Sequence, residues 1–335
     1  MSSTDLANLS DKLMLTTVVL YIIAMVAYAA DLGFGGRRRT ADAVAEKKVL
    51  ATVGGGEGGG DESAPAPAAA VEQAGGRDWG RFAVLLNVLG WAAHLGVLIT
   101  RGLAASHWPW ANMYEFLTAI AFAAVTAYLV CLWRFQARFL GAFVMVAVVM
   151  ALGGANIWLY QEVGPVRPAL NSYWIAIHVS AAIIATGAFT VAGVATILYL
   201  LKAPREARGA VGDGFWAHLP SAGNLDRLAL RVTMFAFPIW TAAIIMGAIW
   251  ADEAWGRYWG WDPKEIWSFI TWIAYAAYLH ARATAGWRGR RAAVLSLVAF
   301  ACLLFNFFGV NYMFQGLHTY AAPAPTAVVE TVANV

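Results

Sequence analysis

Between Trp255 and Trp267 the chain reads WGRYWGWDPKEIW, with four tryptophans and one tyrosine in thirteen residues and an Asp-Pro-Lys-Glu turn near the end. Indole and phenol rings at this density form a flat, electron-rich wall, which suits a large planar ligand such as heme. If residues 255–262 are helical, Trp255, Tyr258, Trp259 and Asp262 share one face by their i, i+3, i+4, i+7 spacing. Asp262 has a second reading: it is placed to cap a helix, with Pro263 at the first helical position and Glu265 completing a capping box. Interfacial aromatic belts account for two or three such rings in an ordinary membrane protein. A belt does not gather Trp255, Trp259, Trp261 and Trp267 around one charged turn.

Six histidines supply candidate ligands for an iron. His178 lies six residues after Ser172, near the start of one apolar stretch, and His318 follows the end of another, in QGLHTY. Two neutral imidazoles approaching from opposite sides are the usual ligation of a bis-histidine heme iron. His280, in YAAYLHAR, sits at the far end of the helix that the Trp-rich turn opens, next to Arg282. His94 falls in mid-span, where packing against a neighbouring helix is the expectation. His107, in SHWPWANMYEF, divides between interface polarity and cofactor contact, and His218 reads as a solvated loop residue. Lys264 or Arg257 could meet heme propionates, or serve as interfacial charges. Cys131 and Cys302 each lie in an apolar run, and no CxxC is present, so the chain carries no dithiol or heme-attachment motif of its own.

The elements that must position these groups are membrane spans. Residues are 60% hydrophobic and 13% charged, with a mean hydropathy of +0.60, a profile that excludes an ordinary soluble domain. Apolar stretches near twenty residues, long enough to cross a hydrocarbon core, begin at Leu13, Phe82, Met113, Phe139, Tyr173, Leu228, Ile266 and Ala292. The expected fold class is therefore all-α, a polytopic membrane helix bundle of about eight transmembrane helices. Of the 23 Lys and Arg, eighteen fall in the loops after spans one, three, five and seven, so both termini are expected to be extracytoplasmic. The same assignment puts His178, His318 and the tryptophans on the extracytoplasmic side, with His280 near the inner face.

Residues 1–34 read as a retained first transmembrane helix, because the Arg triplet follows the apolar run where a cleavable signal would carry its charges first. Residues 35–80, containing VGGGEGGGDE, read as a flexible cytoplasmic linker; they lack the Gly-Lys-Ser/Thr ending of a phosphate loop. A seven-helix core follows over 81–320, with the external Trp-rich segment at 252–267, and 321–335 reads as a disordered tail. No nucleic-acid partner is expected.

WGRYWGWDPKEIWSFITWIAYAAYLHAR resembles the WWD-type heme-handling membrane proteins, and among them the CcsA/ResC-type subunit of the System II cytochrome c synthase, called CcsB in actinobacterial-type naming. The likeness extends to SHWPWANMYEF, NSYWIAIHV and FNFFGVNYMFQGLHTY, and covers most of the chain from Phe82 to Tyr320. It implies that His178 and His318 hold an external heme iron beside the Trp motif. It also implies that His280 binds an inner heme iron, with the second ligand supplied by a ResB/Ccs-type partner subunit. The implied reaction joins the vinyl groups of heme b, as substrate, to the CxxCH thiols of apocytochrome c, while separate thiol-reducing proteins keep those thiols reduced. Such a protein acts by position and not by acid/base catalysis, at the extracytoplasmic side of the bacterial plasma membrane. A heme delivery or export protein without ligation activity is the alternative.

Overall fold

A computed structural model describes residues 1–53, 78–164, 170, 172–212 and 214–318, the side chains of 35–53 excepted. The expected tail lies outside the described residues, as does most of the expected linker. The helices are α1 (Ser3–Val53), α2 (Trp79–Ala105), α3 (Met113–Phe135), α4 (Gly141–Gly154), α5 (Tyr173–Ala207), α6 (Phe215–His218), α7 (Ala222–Trp255), α8 (Pro263–Ala283), α9 (Arg290–Leu304) and α10 (Val310–Met313). A wide π-type turn extends α4 through Leu159, and another joins α9 to α10 over Phe305–Gly309.

Among the described residues, seven helical segments are long and apolar enough to cross a membrane: Ser3–Phe34, Trp79–Ala105, Met113–Phe135, Arg138–Leu159, Tyr173–Ala207, Ala222–Trp255 and Arg290–Met313. The protein is a multi-pass, all-α membrane bundle. The stretch expected to span from Ile266 forms α8, 21 residues long. It falls short on apolarity because its ends carry Lys264, Glu265, His280 and Arg282.

Helix starts follow the sequence closely. Asp78, Asn112, Ser172, Ser221 and Asp262 each accept a backbone N–H of the following turn, at a point where that donor has no intrahelical partner. Inside the bundle α5 packs along α7 and against α3, α1 pairs with α2, and α8 lies on α9. Contact between α3 and α5 is close because residue 187 is glycine: a Cβ there would lie 2.6 Å from the backbone of Ala123 and Ala124. Tyr21 Oη meets His94 Nδ1 at 3.3 Å, and the buried imidazole stands edge-on to Phe122, so His94 ties α1 to α2 and α3 as a packing residue.

One ionic contact secures the end of the bundle where α2 turns into α3. Arg101 and Glu115 are 2% and 1% exposed, with Nε and Oε1 2.9 Å apart. The guanidinium also donates to the Gln161 carbonyl and lies over the Tyr114 ring, while Glu115 Oε2 accepts the Ala111 N–H at 2.9 Å. Loop 106–112 is thereby held from both sides. Removing one charge strands the other in a buried site, at a cost of about 3–5 kcal/mol. Glu115→Ala is therefore expected to lower thermal unfolding in detergent sharply, whereas Arg101→Met/Glu115→Leu recovers most of the loss. Equal losses in the single and double variants would show that the pair is not the constraint.

Candidate functional site

A cavity of about 1150 Å³, counting its open mouth, lies at the end of the bundle where loop 106–112 and the α7–α8 turn meet. His178 from α5 and His318 from the segment after α10 both line it, with Tyr258, Trp259 and Lys264. These side chains are 140 residues apart in sequence at the extremes, and only the packing of α5, α7, α8 and α10 joins them.

Each imidazole is oriented by an oxygen acceptor. His178 Nδ1–H donates to the Ala243 carbonyl on α7 at 2.7 Å. His318 Nδ1–H donates to Asp262 Oδ2 at 2.8 Å. A donor hydrogen bond at Nδ1 assigns the lone pair to Nε2, the nitrogen that binds a metal in such pairs, and fixes the ring plane. The close approach to α7 depends on Gly247, where a Cβ would lie 2.6 Å from His178 Cε1.

Asp262 does more than cap. Its Oδ2 accepts the Lys264 N–H of the first turn at 3.3 Å, while Oδ1 accepts Leu317 N–H at 2.8 Å. Burial pushes the carboxyl up, but the hydrogen bond and charge of His318, with the Leu317 and Lys264 amides, outweigh it and hold Asp262 below its ordinary value. Glu265 closes the capping box: its Oε2 accepts the N–H groups of Asp262 at 3.0 Å and Gly260 at 2.8 Å. Its Oε1 pairs with Arg257 at 3.2 Å. Arg257 is thus occupied in holding the turn.

The aromatic wall is built differently from the helical face expected of 255–262. α7 stops at Trp255, because Gly256 adopts φ 70° and ends the helix in the left-handed region. Residues 257–262 then run as a loop, with Trp261 itself at φ 58°, a conformation a bulky side chain adopts only when its surroundings impose it. Trp255 stands edge-on to His318, ring centroids 4.8 Å apart. Trp259 reaches the cavity, and Trp261 meets it edge-on while itself 66% exposed. Trp267 does not line the cavity; it packs on Phe305 at 4.2 Å and holds α8 to the turn before α10.

Two residues that the sequence reading passed over are central. Trp250, 1% exposed, stacks on His178 with planes 9° apart and meets His318 edge-on at 5.6 Å, so one indole touches both candidate ligands. Trp110 also lines the cavity, and among the described residues its buried Nε1 has no hydrogen-bond acceptor. Lys264 Nζ spends one donor on the Asn306 carbonyl at 2.7 Å. Burial lowers Lys264 to about 7, and an anion beside it would favour the ammonium, so an apolar slot with this amine and an unused N–H donor suits an anionic, planar ligand. His280 is elsewhere: it is exposed, about 24 Å along α8 from Lys264 at 1.5 Å per residue. Its neighbour Arg282 is taken by Asp226 at 2.9 Å. His107 lies outside the cavity, with Nδ1 2.8 Å from the Trp108 carbonyl and Nε2 3.3 Å from the Gly164 carbonyl, each oxygen an acceptor for a ring N–H.

Comparison with known proteins agrees with this architecture. The family model described as cytochrome C assembly protein matches residues 110–318, which include the end of the α2–α3 loop from Trp110, both cavity histidines and the Trp-rich turn. A Gloeobacter violaceus protein named cytochrome c biogenesis protein CcsA is 33% identical over 276 residues, covering 67% of this chain and 82% of its own. The Guillardia theta protein of that name is 34% identical over 241 residues, covering 67% and 80%. Among solved structures, the cytochrome c heme lyase CcmF superposes with a TM-score of 0.58 at 16% identity, over 94% of this chain and 48% of that one, a likeness of fold. The chain belongs to the cytochrome c assembly protein family, as a CcsA-type cytochrome c biogenesis protein of the membrane.

Proposed function

We propose that this protein presents heme at the extracytoplasmic face, with iron held by His178 and His318, for thioether attachment to the CxxCH thiols of an apocytochrome c. The observation that carries the reading is the pair of imidazoles lining one cavity, each fixed through Nδ1 by an oxygen acceptor, beside a wall of indoles. Heme is the substrate here, together with the two thiols. In each attachment a thiol adds across a vinyl C=C: sulfur bonds to the inner carbon, hydrogen ends on the outer one, and no external oxidant or reductant is consumed. The chain supplies position. Holding vinyls against thiols replaces a bimolecular encounter, an effect worth up to about 7–11 kcal/mol when alignment is good.

Lys264 is the better propionate partner of the two basic candidates, because it lines the cavity while Arg257 is paired with Glu265. Trp110 Nε1 is placed to donate to a second carboxylate. His280, exposed at the opposite end of α8, fits an inner iron site only if a ligand comes from another chain, in keeping with a ResB/Ccs-type partner subunit.

Absorption spectra of the purified protein test the ligand set. His178→Ala and His318→Ala are each expected to abolish the low-spin Soret band of protein purified without a partner, and His280→Ala to leave it unchanged. A Soret band that survives both cavity substitutions would overturn the assignment. Covalent heme on a co-expressed CxxCH cytochrome, with a ResB-type partner present, then separates attachment from delivery alone.

Asp262→Asn keeps the cap but weakens the imidazole's acceptor, and is expected to reduce heme affinity about 10–100-fold, as loss of an orienting carboxylate does elsewhere. Hemin titration with far-UV circular dichroism as a folding control reads this directly. Lys264→Met is expected to raise the hemin Kd about tenfold, the loss of one charge-assisted hydrogen bond, without moving the Soret maximum. A shifted maximum would mean that Lys264 acts on the iron ligands instead.

A further inference from the structure

A second, larger hollow opens on the flank of the bundle, and Trp110 lines both it and the histidine cavity. Ala119, Phe122, Ala123, Thr126, Ala127 and Val130 form a stripe down α3 at helical spacing, walled by Ser180, Ile183, Ile184 and Ala188 of α5 and Val232 and Phe235 of α7. The groove encloses about 1390 Å³, counting its open side. From Ala119 to Arg134 it runs about 22 Å at 1.5 Å per residue, longer than one leaflet of a hydrocarbon core about 30 Å thick.

Arg134 and Arg231 stand at one end of this groove. Their guanidinium carbons lie 5.8 and 5.5 Å from the centroid of the same ring, Phe135, so both charges stand beside one aromatic side chain. Both side chains are exposed. Among the described residues neither has a carboxylate within ion-pair distance, whereas Arg101, Arg138, Arg257 and Arg282 each do. Trp133 beside them is 78% exposed, the position of an interfacial anchor. Counting along α3 and α7 puts this end opposite to the heme cavity, so the pair has no part in that site.

We propose that the groove holds one anionic phospholipid, its phosphate between Arg134 and Arg231 and an acyl chain along the α3 stripe. Two guanidiniums beside one ring, neither with a carboxylate partner among the described residues, offer paired positive charge to an anion, and planar guanidiniums match phosphate oxygens two at a time. The apolar length and lateral opening exclude a small soluble anion as sufficient occupant. Basic pockets between spans are where anionic headgroups bind.

Native mass spectrometry and thermal unfolding of the full-length protein in detergent test this, with phosphatidylglycerol, phosphatidylcholine, inorganic phosphate and hemin as separate additions. The wild type is expected to retain phosphatidylglycerol over phosphatidylcholine by about tenfold and to gain thermal stability from it but not from phosphatidylcholine or phosphate. Arg134→Gln/Arg231→Gln is expected to lose that preference, while Arg208→Gln/Arg288→Gln, which removes two other exposed charges, keeps it. Ala127→Phe, which fills the groove and leaves both arginines, is expected to lose retention as well. Equal retention of the two lipids, an unchanged double-glutamine variant, or the same loss in the Arg208/Arg288 control would overturn the proposal. Protection by inorganic phosphate equal to that by phosphatidylglycerol would also overturn it, whereas protection by hemin reports on the histidine cavity and must persist in the double-glutamine variant. The heme reading is decided separately by the His178 and His318 spectra.

Discussion

The carboxylate of Asp262 is the point on which the site turns. It begins α8, receives the Leu317 N–H and holds His318 through Nδ1, so one side chain links a helix start to the C-terminal segment and a candidate iron ligand. Capping and ligand orientation use different lone pairs of the same group and do not compete. Burial disfavours the ionised form, yet three donors outweigh that cost. A neutral side chain at this position could cap the helix but would not hold an imidazole with comparable strength.

Around that carboxylate the tryptophans divide the labour. Trp255 and Trp250 press on the imidazoles, Trp259 faces the cavity, and Trp267 fastens α8 to the turn before α10. The loop itself is pinned by Glu265, whose two oxygens take Gly260, Asp262 and Arg257. That pinning is what allows Trp261 to sit at φ 58°, a conformation costing about 1–2 kcal/mol in an unconstrained chain. Across the cavity, Arg101 and Glu115 do the corresponding work for the loop that carries Trp110. Both walls are therefore rigid loops tied by buried charges, as a site acting through position requires.

The two ends of the bundle differ in kind. At the cavity end, charges are paired within the chain and rings converge on a slot. At the other end, Arg134 and Arg231 face outward without a carboxylate partner among the described residues, and His280 lies exposed. Groups of that sort look toward the bilayer or a neighbouring subunit. Glycine at 187 and at 247 lets α3 and α7 approach α5 closely.

Local chemistry determined a good deal by itself. Apolar runs of membrane length define the spans, since in lipid a helix satisfies every backbone polar group within its own segment. Asp-Pro-Lys-Glu announced the start of α8, because N-cap donors are satisfied by residues within three positions. The density of indoles and the two flanking histidines named the candidate ligand. Tertiary structure alone decided the rest. The expected helical face over 255–262 failed at Gly256, where a left-handed residue ends the helix whatever the periodicity beyond it. Trp250 gave no signal, because a lone tryptophan in a span reads as packing until its neighbours are known, and Trp110 was legible only as part of SHWPWANMYEF, without a role of its own. The partners of His178, His318 and Arg101 lie 65, 56 and 14 residues away. Hydrogen bonds over such separations depend on how helices pack, and packing is a property of the assembled bundle, not of any one stretch of chain.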